Sequence, residues 1–241
     1  MSKTKQMFLS ASLLIALAAC KLQHKHSDSH NENHETEQKT AHDAEHGNNA
    51  ANEFMHRSST EDLIRHFESP ERDAYQKPEK VLEYLGELEG KKIMDIGAGS
   101  GYFSVKLAEK GAQVIAADVS DEFQEALQQR IEDNNLGNIE LRKIPYDSPN
   151  LADNEVDMVL IVNTYHHIEN RSDYFSKVKK GIHPEGELVV IDYFKKEIPV
   201  GPPADHKVAL NTVKKELREA GYTQLDVNVD LLPYQFIIRA K

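Results

Sequence analysis

Gly97, Gly99 and Gly101 stand at alternate positions behind an acid in the run Asp95-Ile96-Gly97-Ala98-Gly99-Ser100-Gly101-Tyr102-Phe103. Glycines so spaced let a backbone turn tightly and approach a ligand where a Cβ would clash, and the amides of a following helix point at the same ligand. The chemistry they suit is the holding of a nucleotide-like cofactor. A second acid, Asp118, ends the apolar run that starts at Ala112, about one βα unit later. There a carboxylate can accept hydrogen bonds from both hydroxyls of a ribose. The competing reading of Asp118 is an acid that starts the next helix near Ser120. The spacing G-x-G-x-G departs from the G-x-G-x-x-G of dinucleotide sites, whereas Asp118 alone would serve any adenosine-containing ligand.

Side chains able to move a proton follow further on. His166 and His167 come after the apolar run Asp157 to Val162, Asp192 lies in the run Glu187 to Tyr193, and His206 opens a helical pattern. An imidazole ionises near neutral pH and suits a base. Neighbouring residues point about 100° apart on a helix and to opposite sides on a strand, so only one of the two histidines is expected to face a substrate. Each candidate has a structural alternative. The histidine pair could cap a helix and pin a loop, Asp192 could be a structural hydrogen-bond acceptor, and His206 could neighbour an N-cap. Arg72 and Tyr75 could close a lid over the ligand or simply pack. Asp147, after Pro145-Tyr146, could lie near an adenine or be solvated.

These residues need elements that bring strand ends together. Helical patterns cover Thr60 to Phe67 and Tyr75 to Leu85, separated by Ser69-Pro70, and Val81, Leu82, Leu85 and Leu88 share one face. Strand patterns cover Lys92 to Ile96 and Gln113 to Asp118, with a helix from about Gly101 to Lys110 between them. A helix from Asp121 to Asn134 carries Phe123, Ala126, Leu127 and Ile131 at helical spacing, and Asn135 to Gly137 ends it. A short strand near Asn138 to Arg142, a strand at Val156 to Val162, a helix near Ser172 to Lys180 and a strand at Glu187 to Tyr193 continue the alternation. That order specifies an α/β doubly wound parallel sheet, whose ligand crevice lies beyond the carboxyl ends of its strands. A helix from His206 to Ala220, with Leu210, Val213, Leu217 and Ala220 on one face, then leads to strands Thr223 to Val229 and Tyr234 to Ala240, which can form a hairpin.

From about residue 60 to 241 the chain resembles the class I S-adenosylmethionine-dependent methyltransferases. The glycine run resembles their motif I, Asp157 to Asn163 looks like their fourth strand, and Tyr165-His166-His167-Ile168 falls where small-molecule methyltransferases often carry a His-His pair. His183-Pro184-Glu185-Gly186-Glu187-Leu188 occupies the turn that is usually Pro-Gly-Gly, with Glu185 as a departure tolerable in a surface turn. Residues 67–78 and 201–206 look like segments of an uncharacterised bacterial subgroup. The resemblance implies a Rossmann-like seven-stranded, mostly parallel sheet with a C-terminal antiparallel hairpin. It implies S-adenosylmethionine as cofactor, held by Asp95, Gly97, Ala98, Gly99, Gly101, Asp118, Val119 and Asn163. It further implies catalysis by His166 or His167, with Arg72, Tyr75, Asp192 and His206 facing a small-molecule acceptor. Methyl transfer from a sulfonium needs little acid–base machinery, because the leaving thioether is neutral; positioning supplies most of the rate.

The front of the chain has another character. Lys3 and Lys5 precede an apolar stretch, Met7 to Ala19, too short to span a bilayer stably. Leu17-Ala18-Ala19-Cys20 resembles a bacterial lipoprotein signal, which implies removal of residues 1–19, lipidation of Cys20 and anchoring to a membrane on the periplasmic side of the cell envelope. Cys20 is the one cysteine in the 241 residues, so no intramolecular disulfide forms. Residues 20–59 lack helical or strand periodicity and hold His24, His26, His30, His34, His42, His46 and His56, seven of the twelve histidines. They read as a disordered tether that either only solvates or captures transition metal weakly, since the fixed ligand spacing of a structural zinc site is missing. A net charge of −11 argues against nucleic acid as a partner. An export signal conflicts with a cytoplasmic methyl donor. The alternatives to an enzyme are therefore a non-catalytic lipoprotein that binds a similar ligand and one that handles metal.

Overall fold

Residues 59–241 are the ones the computed structural model describes; the expected signal sequence, Cys20 and the histidines of the tether lie outside the described residues. Three short helices come first, α1 (Thr60–Phe67), α2 (Pro70–Gln76) and α3 (Pro78–Leu85). Next come β1 (Lys92–Ile96), α4 (Tyr102–Glu109), β2 (Gln113–Asp118), α5 (Asp121–Asn134), β3 (Ile139–Lys143) and β4 (Val156–Val162). A single 3-10 turn (Tyr165–His167) leads to α6 (Arg171–Gly181) and β5 (Ile182–Tyr193). A second 3-10 turn (Ala204–His206), α7 (Leu210–Glu219), β6 (Leu225–Asn228) and β7 (Gln235–Ala240) complete the fold.

The seven strands lie in the order β3-β2-β1-β4-β5-β7-β6. Strands β1 to β5 are parallel, and β7 runs antiparallel to both β5 and β6. This is the mostly parallel α/β sheet with a terminal hairpin that the segment order specifies. Because β1 pairs with both β2 and β4, the chain reverses its winding there, and the carboxyl ends of β1 and β4 border the crevice. Period-two alternation divides the central strands between two cores. Val159 and Ile161 of β4 join the side covered by α6 and α7, while Met158, Leu160 and Val162 join the side covered by α3 and α4. Asp95 follows the same rule: it shares a face with Ile93, toward α4, and so is carried into the interior.

Three elements differ from the expected ones, each for a local reason. The helix expected over Tyr75 to Leu85 is two helices, because Lys77 adopts a left-handed conformation (φ 45°) ahead of Pro78, which starts α3. The last long helix begins at Leu210 rather than His206; His206 belongs to the separate 3-10 turn, and Lys207 to Ala209 intervene. Strand β5 starts at Ile182, five residues early. Its register against β4 jumps between the pairs Val156–Ile182 and Met158–Glu187, so His183, Pro184, Glu185 and Gly186 form a bulge within the strand instead of a turn before it. A Cβ on Gly186 would collide with the Asp157 carbonyl, which explains a glycine there.

Candidate active site

The glycine loop joins β1 to α4 and is pinned from both sides. Gly97 and Ala98 donate their N–H groups to the Ala117 carbonyl at 2.8 and 3.1 Å. Gly97 has φ 73°, and a Cβ added to it would run into the Thr164 side chain at the end of β4, so this position needs glycine both for conformation and for space. Asp118, at the tip of β2, accepts from the Gly99 N–H at 2.8 Å and from the Ser120 N–H at 2.9 Å. Asp118 thus ties the glycine loop to the tip of β2 and leads into α5, which Ser120 caps. Burial raises its carboxyl pKa, while the N–H groups of Ser120, Gly99 and Val119 pull it back.

Asp95 is 3% exposed and accepts from the Ser104 hydroxyl at 2.7 Å. Burial pushes its carboxyl up to about 6, against the pull of Ser104 and of the Arg72 charge. A folded value above the ordinary 3.8 means that Asp95 supports the fold fully only below that ordinary value. The support is lost as pH rises through about 6, and at neutral pH the buried carboxylate costs about 2–3 kcal/mol. Asp95→Asn is accordingly expected to raise the thermal midpoint at neutral pH and to change it little in acid. Melting curves at both pH values check this, and an unchanged midpoint at neutral pH would contradict it.

Ala98 turns its methyl into a small core with Val105, Ala116 and Leu127, and Val119 packs against the α6–α7 core. Asn163 takes φ 57° directly after β4 and donates its N–H to the Ile191 carbonyl at 2.9 Å. Its side chain joins an amide cluster. Asn163 Nδ2 donates to Gln76 Oε1 at 3.2 Å, and Gln235 Nε2 donates to Asn163 Oδ1 at 2.5 Å. Gln76 and Gln235, both fully buried, were not legible as site residues, since 159 positions separate them in sequence.

At the ends of β4 and β5, Asp192 organises the histidines. Its carboxylate, 2% exposed, accepts from the His166 and Tyr193 N–H groups at 3.2 and 2.7 Å and lies 3.0 Å from His166 Nδ1 through either oxygen. A carboxylate only accepts, so Nδ1 is the nitrogen that carries the proton facing Asp192. The His167 ring lies 4.3 Å from that of His166, tilted by 37°. Both histidines lie on one 3-10 turn, which brings their rings into contact. Burial, reinforced by His166 and His206, lowers the His167 pKa to about 3, so it stays neutral and is a poor base. His206 is half-buried, and its Nδ1 is buried without a hydrogen-bond partner among the described residues. His166, His167, Asp192 and His206 form no group able to hold a metal ion among the described residues.

Helices α1 and α2 roof the loop. A Cβ on Gly99 would meet the Phe67 ring at 3.6 Å, Arg72 lies 4.0 Å over the Tyr102 ring, and Glu68 accepts from Ser100 Oγ and Arg130 Nη1 at 2.5 Å each. The Tyr75 hydroxyl lies 3.3 Å from that of Tyr193. Arg72 and Tyr75 are thus brought to the crevice. Asp147 is exposed, and its backbone carbonyl accepts from Lys177 Nζ at 3.0 Å.

Residues 94–190 match a family model described as a methyltransferase domain. This part of the chain is a methyltransferase domain. The match spans the loop, Asp118 and the paired histidines. The methyltransferase domain is similar to a ubiquinone biosynthesis O-methyltransferase from Acinetobacter baylyi, 27% identical over 167 residues that make up 61% of this chain and 69% of that protein. An uncharacterized methyltransferase of Staphylococcus carnosus is 26% identical over 128 residues, 50% of this chain and 56% of that one. Among solved structures, a SAM-dependent methyltransferase from Aquifex aeolicus superposes with a TM-score of 0.69 at 27% identity, covering 76% of this chain and 98% of that one.

Proposed function

We propose that the domain is a class I methyltransferase that moves a methyl group from S-adenosylmethionine to a small acceptor bearing an ionisable hydroxyl. The observation that carries this reading is the buried His166–Asp192 pair at the ends of β4 and β5, beside a glycine loop anchored by Asp118. The donor fits the residues present. The loop offers backbone without side chains, Asp118 has the chemistry for a ribose, and Asp95 is a buried carboxylate that no cation pairs with among the described contacts. Gly97, Ala98, Gly99 and Gly101 would line the donor with backbone, with Val119 and Asn163 flanking it. When bound, S-adenosylmethionine supplies an electrophilic methyl on a sulfonium.

The chain's own residues do the rest. Asp192 holds His166 Nδ1–H and thereby fixes Nε2 as the basic nitrogen, which takes the acceptor proton as its oxygen becomes nucleophilic. Asp192 acts through His166 and is a positioning residue. Tyr75 and His206 border the acceptor, and the roof of α1 and α2 excludes water. The relatives named O-methyltransferases support an oxygen acceptor. Transfer of labelled methyl from S-adenosylmethionine to phenolic and other hydroxyl-bearing compounds, or to cell-envelope extract, tests this reading; donor binding with no acceptor ever labelled would favour a non-catalytic binding protein.

The lipoprotein reading of the N-terminus belongs to the same proposal. Several acyl chains on Cys20, each buried CH2 contributing about 0.8 kcal/mol, would anchor the domain to a membrane of the envelope. Intact-mass measurement is expected to show residues 1–19 absent and Cys20 acylated; an unmodified N-terminus would sink this part.

A further inference from the structure

Lys207 is a buried cation to which the reading of His166 and Asp192 gives no role. It follows the second 3-10 turn and is 2% exposed, yet the hydrogen bond described for its ammonium goes to a neutral group, the Lys196 carbonyl at 3.0 Å. The described ion pairs do not include it, and Glu197 and Asp192 act on it only from further away. Burial lowers its pKa against the pull of those two charges. Its Nζ lies 5.8 Å from the centre of the Tyr193 ring, and the His166 ring lies 6.4 Å from the same centre. The cation and the His166–Asp192 pair therefore flank one residue at the end of β5. The segment between β5 and α7 is laid against that ring, since a Cβ on Gly201 would run into it. The neighbouring His206 adds a second unmet polar atom, its buried Nδ1, and its charge acts on His167. An ammonium has three donors, and a desolvated charge without a counter-ion is costly. An anionic group on a ligand in the crevice relieves that cost.

We propose that Lys207 selects acceptors that carry a carboxylate as well as the hydroxyl to be methylated, by pairing its ammonium with that carboxylate. This rests on the reading of the domain as a methyltransferase with a hydroxyl acceptor, and it narrows the acceptor to one class, the hydroxy acids. With the ammonium and the imidazole on one tyrosine ring, a molecule about the size of a single aromatic ring reaches both, its hydroxyl toward His166 and its carboxylate toward Lys207. Tyr75 and Tyr193, with ring centres 6.5 Å apart and hydroxyls 3.3 Å apart, offer such a ring flat apolar faces. Charge demands the same residue. The chain carries −11 overall, and Asp192 lies beside the base, so an anionic acceptor is repelled unless a local cation offsets them. The carboxylate is bound and not consumed: the methyl passes to the hydroxyl oxygen, whose proton goes to His166.

The test is calorimetric titration of the full chain, loaded with S-adenosylhomocysteine, with ortho-, meta- and para-hydroxybenzoate, each beside its methyl ester, which keeps the hydroxyl and the ring and lacks the charge. The wild type is expected to prefer at least one of the acids over its ester by about ten- to a hundredfold, the range for a charge-assisted hydrogen-bonded pair. Lys207→Met, which keeps the chain length without the charge, should abolish that preference by weakening the acid, and Lys207→Arg should retain most of it. Affinity for S-adenosylhomocysteine reports that each variant is folded, and Lys207→Gln replaces the methionine variant if that one is not. Equal losses for acid and ester, as expected of a lysine that only straps its loop to the Lys196 carbonyl, would overturn the inference, and so would a preference that survives Lys207→Met. A wild type that takes up S-adenosylhomocysteine and binds none of the acids would overturn it as well, with the donor reading left standing. A wild type without affinity for S-adenosylhomocysteine would overturn the donor reading and this inference with it.

Discussion

His166→Ala is expected to lower methyl-transfer turnover by about 10²–10⁴-fold while the affinity for S-adenosylhomocysteine stays near the wild-type value. The imidazole is 4% exposed, and its Nδ1 is held 3.0 Å from both oxygens of Asp192. Removing it takes away the imidazole whose Nδ1–H Asp192 holds in place. Asp192→Asn provides the control. An amide in place of the carboxylate can donate to Nδ1 and present the wrong tautomer, so turnover should fall even though the ring is still there. His167→Ala should cost much less, because burial already holds that ring neutral with a pKa of about 3. Single-turnover assays with labelled donor separate these variants. Equal activity of the His166 variant and the wild type would remove the base from the mechanism.

Asp118→Ala is expected to weaken S-adenosylhomocysteine binding by about ten- to a hundredfold, equivalent to about 1.5–3 kcal/mol. Two losses combine in it. The ribose hydroxyls lose their acceptor, and the Gly99 and Ser120 N–H groups, held at 2.8 and 2.9 Å, lose theirs, so the loop loses the contact that shapes it. Asp118→Asn separates the two effects. An Asn can still accept from one of the N–H groups, so it should recover part of the thermal stability that the alanine variant loses and little of the affinity. Calorimetry and thermal melts on both variants check this; an alanine variant that binds as tightly as the wild type would remove Asp118 from the ligand site.

Most of this architecture was legible because it rests on local patterns. β1, β2 and β4 read correctly as short apolar runs, and α5 was bounded by Ser120 and Asn135, a serine N-cap and a left-handed C-cap. What could not be read depends on distant partners. Lys77 breaks a pattern that periodicity alone joins across Pro78. The bulge in β5 shows only against its neighbour β4, where Gly186 passes close to the Asp157 carbonyl. The candidate site divides in the same way. Asp95, Asp118 and the glycines announce themselves by spacing, and so do His166 and His167. The pairing of His166 with Asp192 spans 26 residues and the amide contact of Gln76 with Gln235 spans 159, and neither leaves a periodic trace. The roof over Gly99 was legible only in part. Arg72 read as a candidate lid residue, but nothing in the sequence marked Phe67 and Glu68, which the fold lays on the loop beside it.

The central claim is that the glycine loop and its two acids hold S-adenosylmethionine rather than a dinucleotide. Calorimetric titration of the full-length wild type with S-adenosylhomocysteine and, in parallel, with NAD tests it most directly. The account predicts one saturable site for S-adenosylhomocysteine, with an affinity at least about tenfold above that for NAD. Tighter binding of NAD, or no binding of S-adenosylhomocysteine to the folded protein, would contradict it.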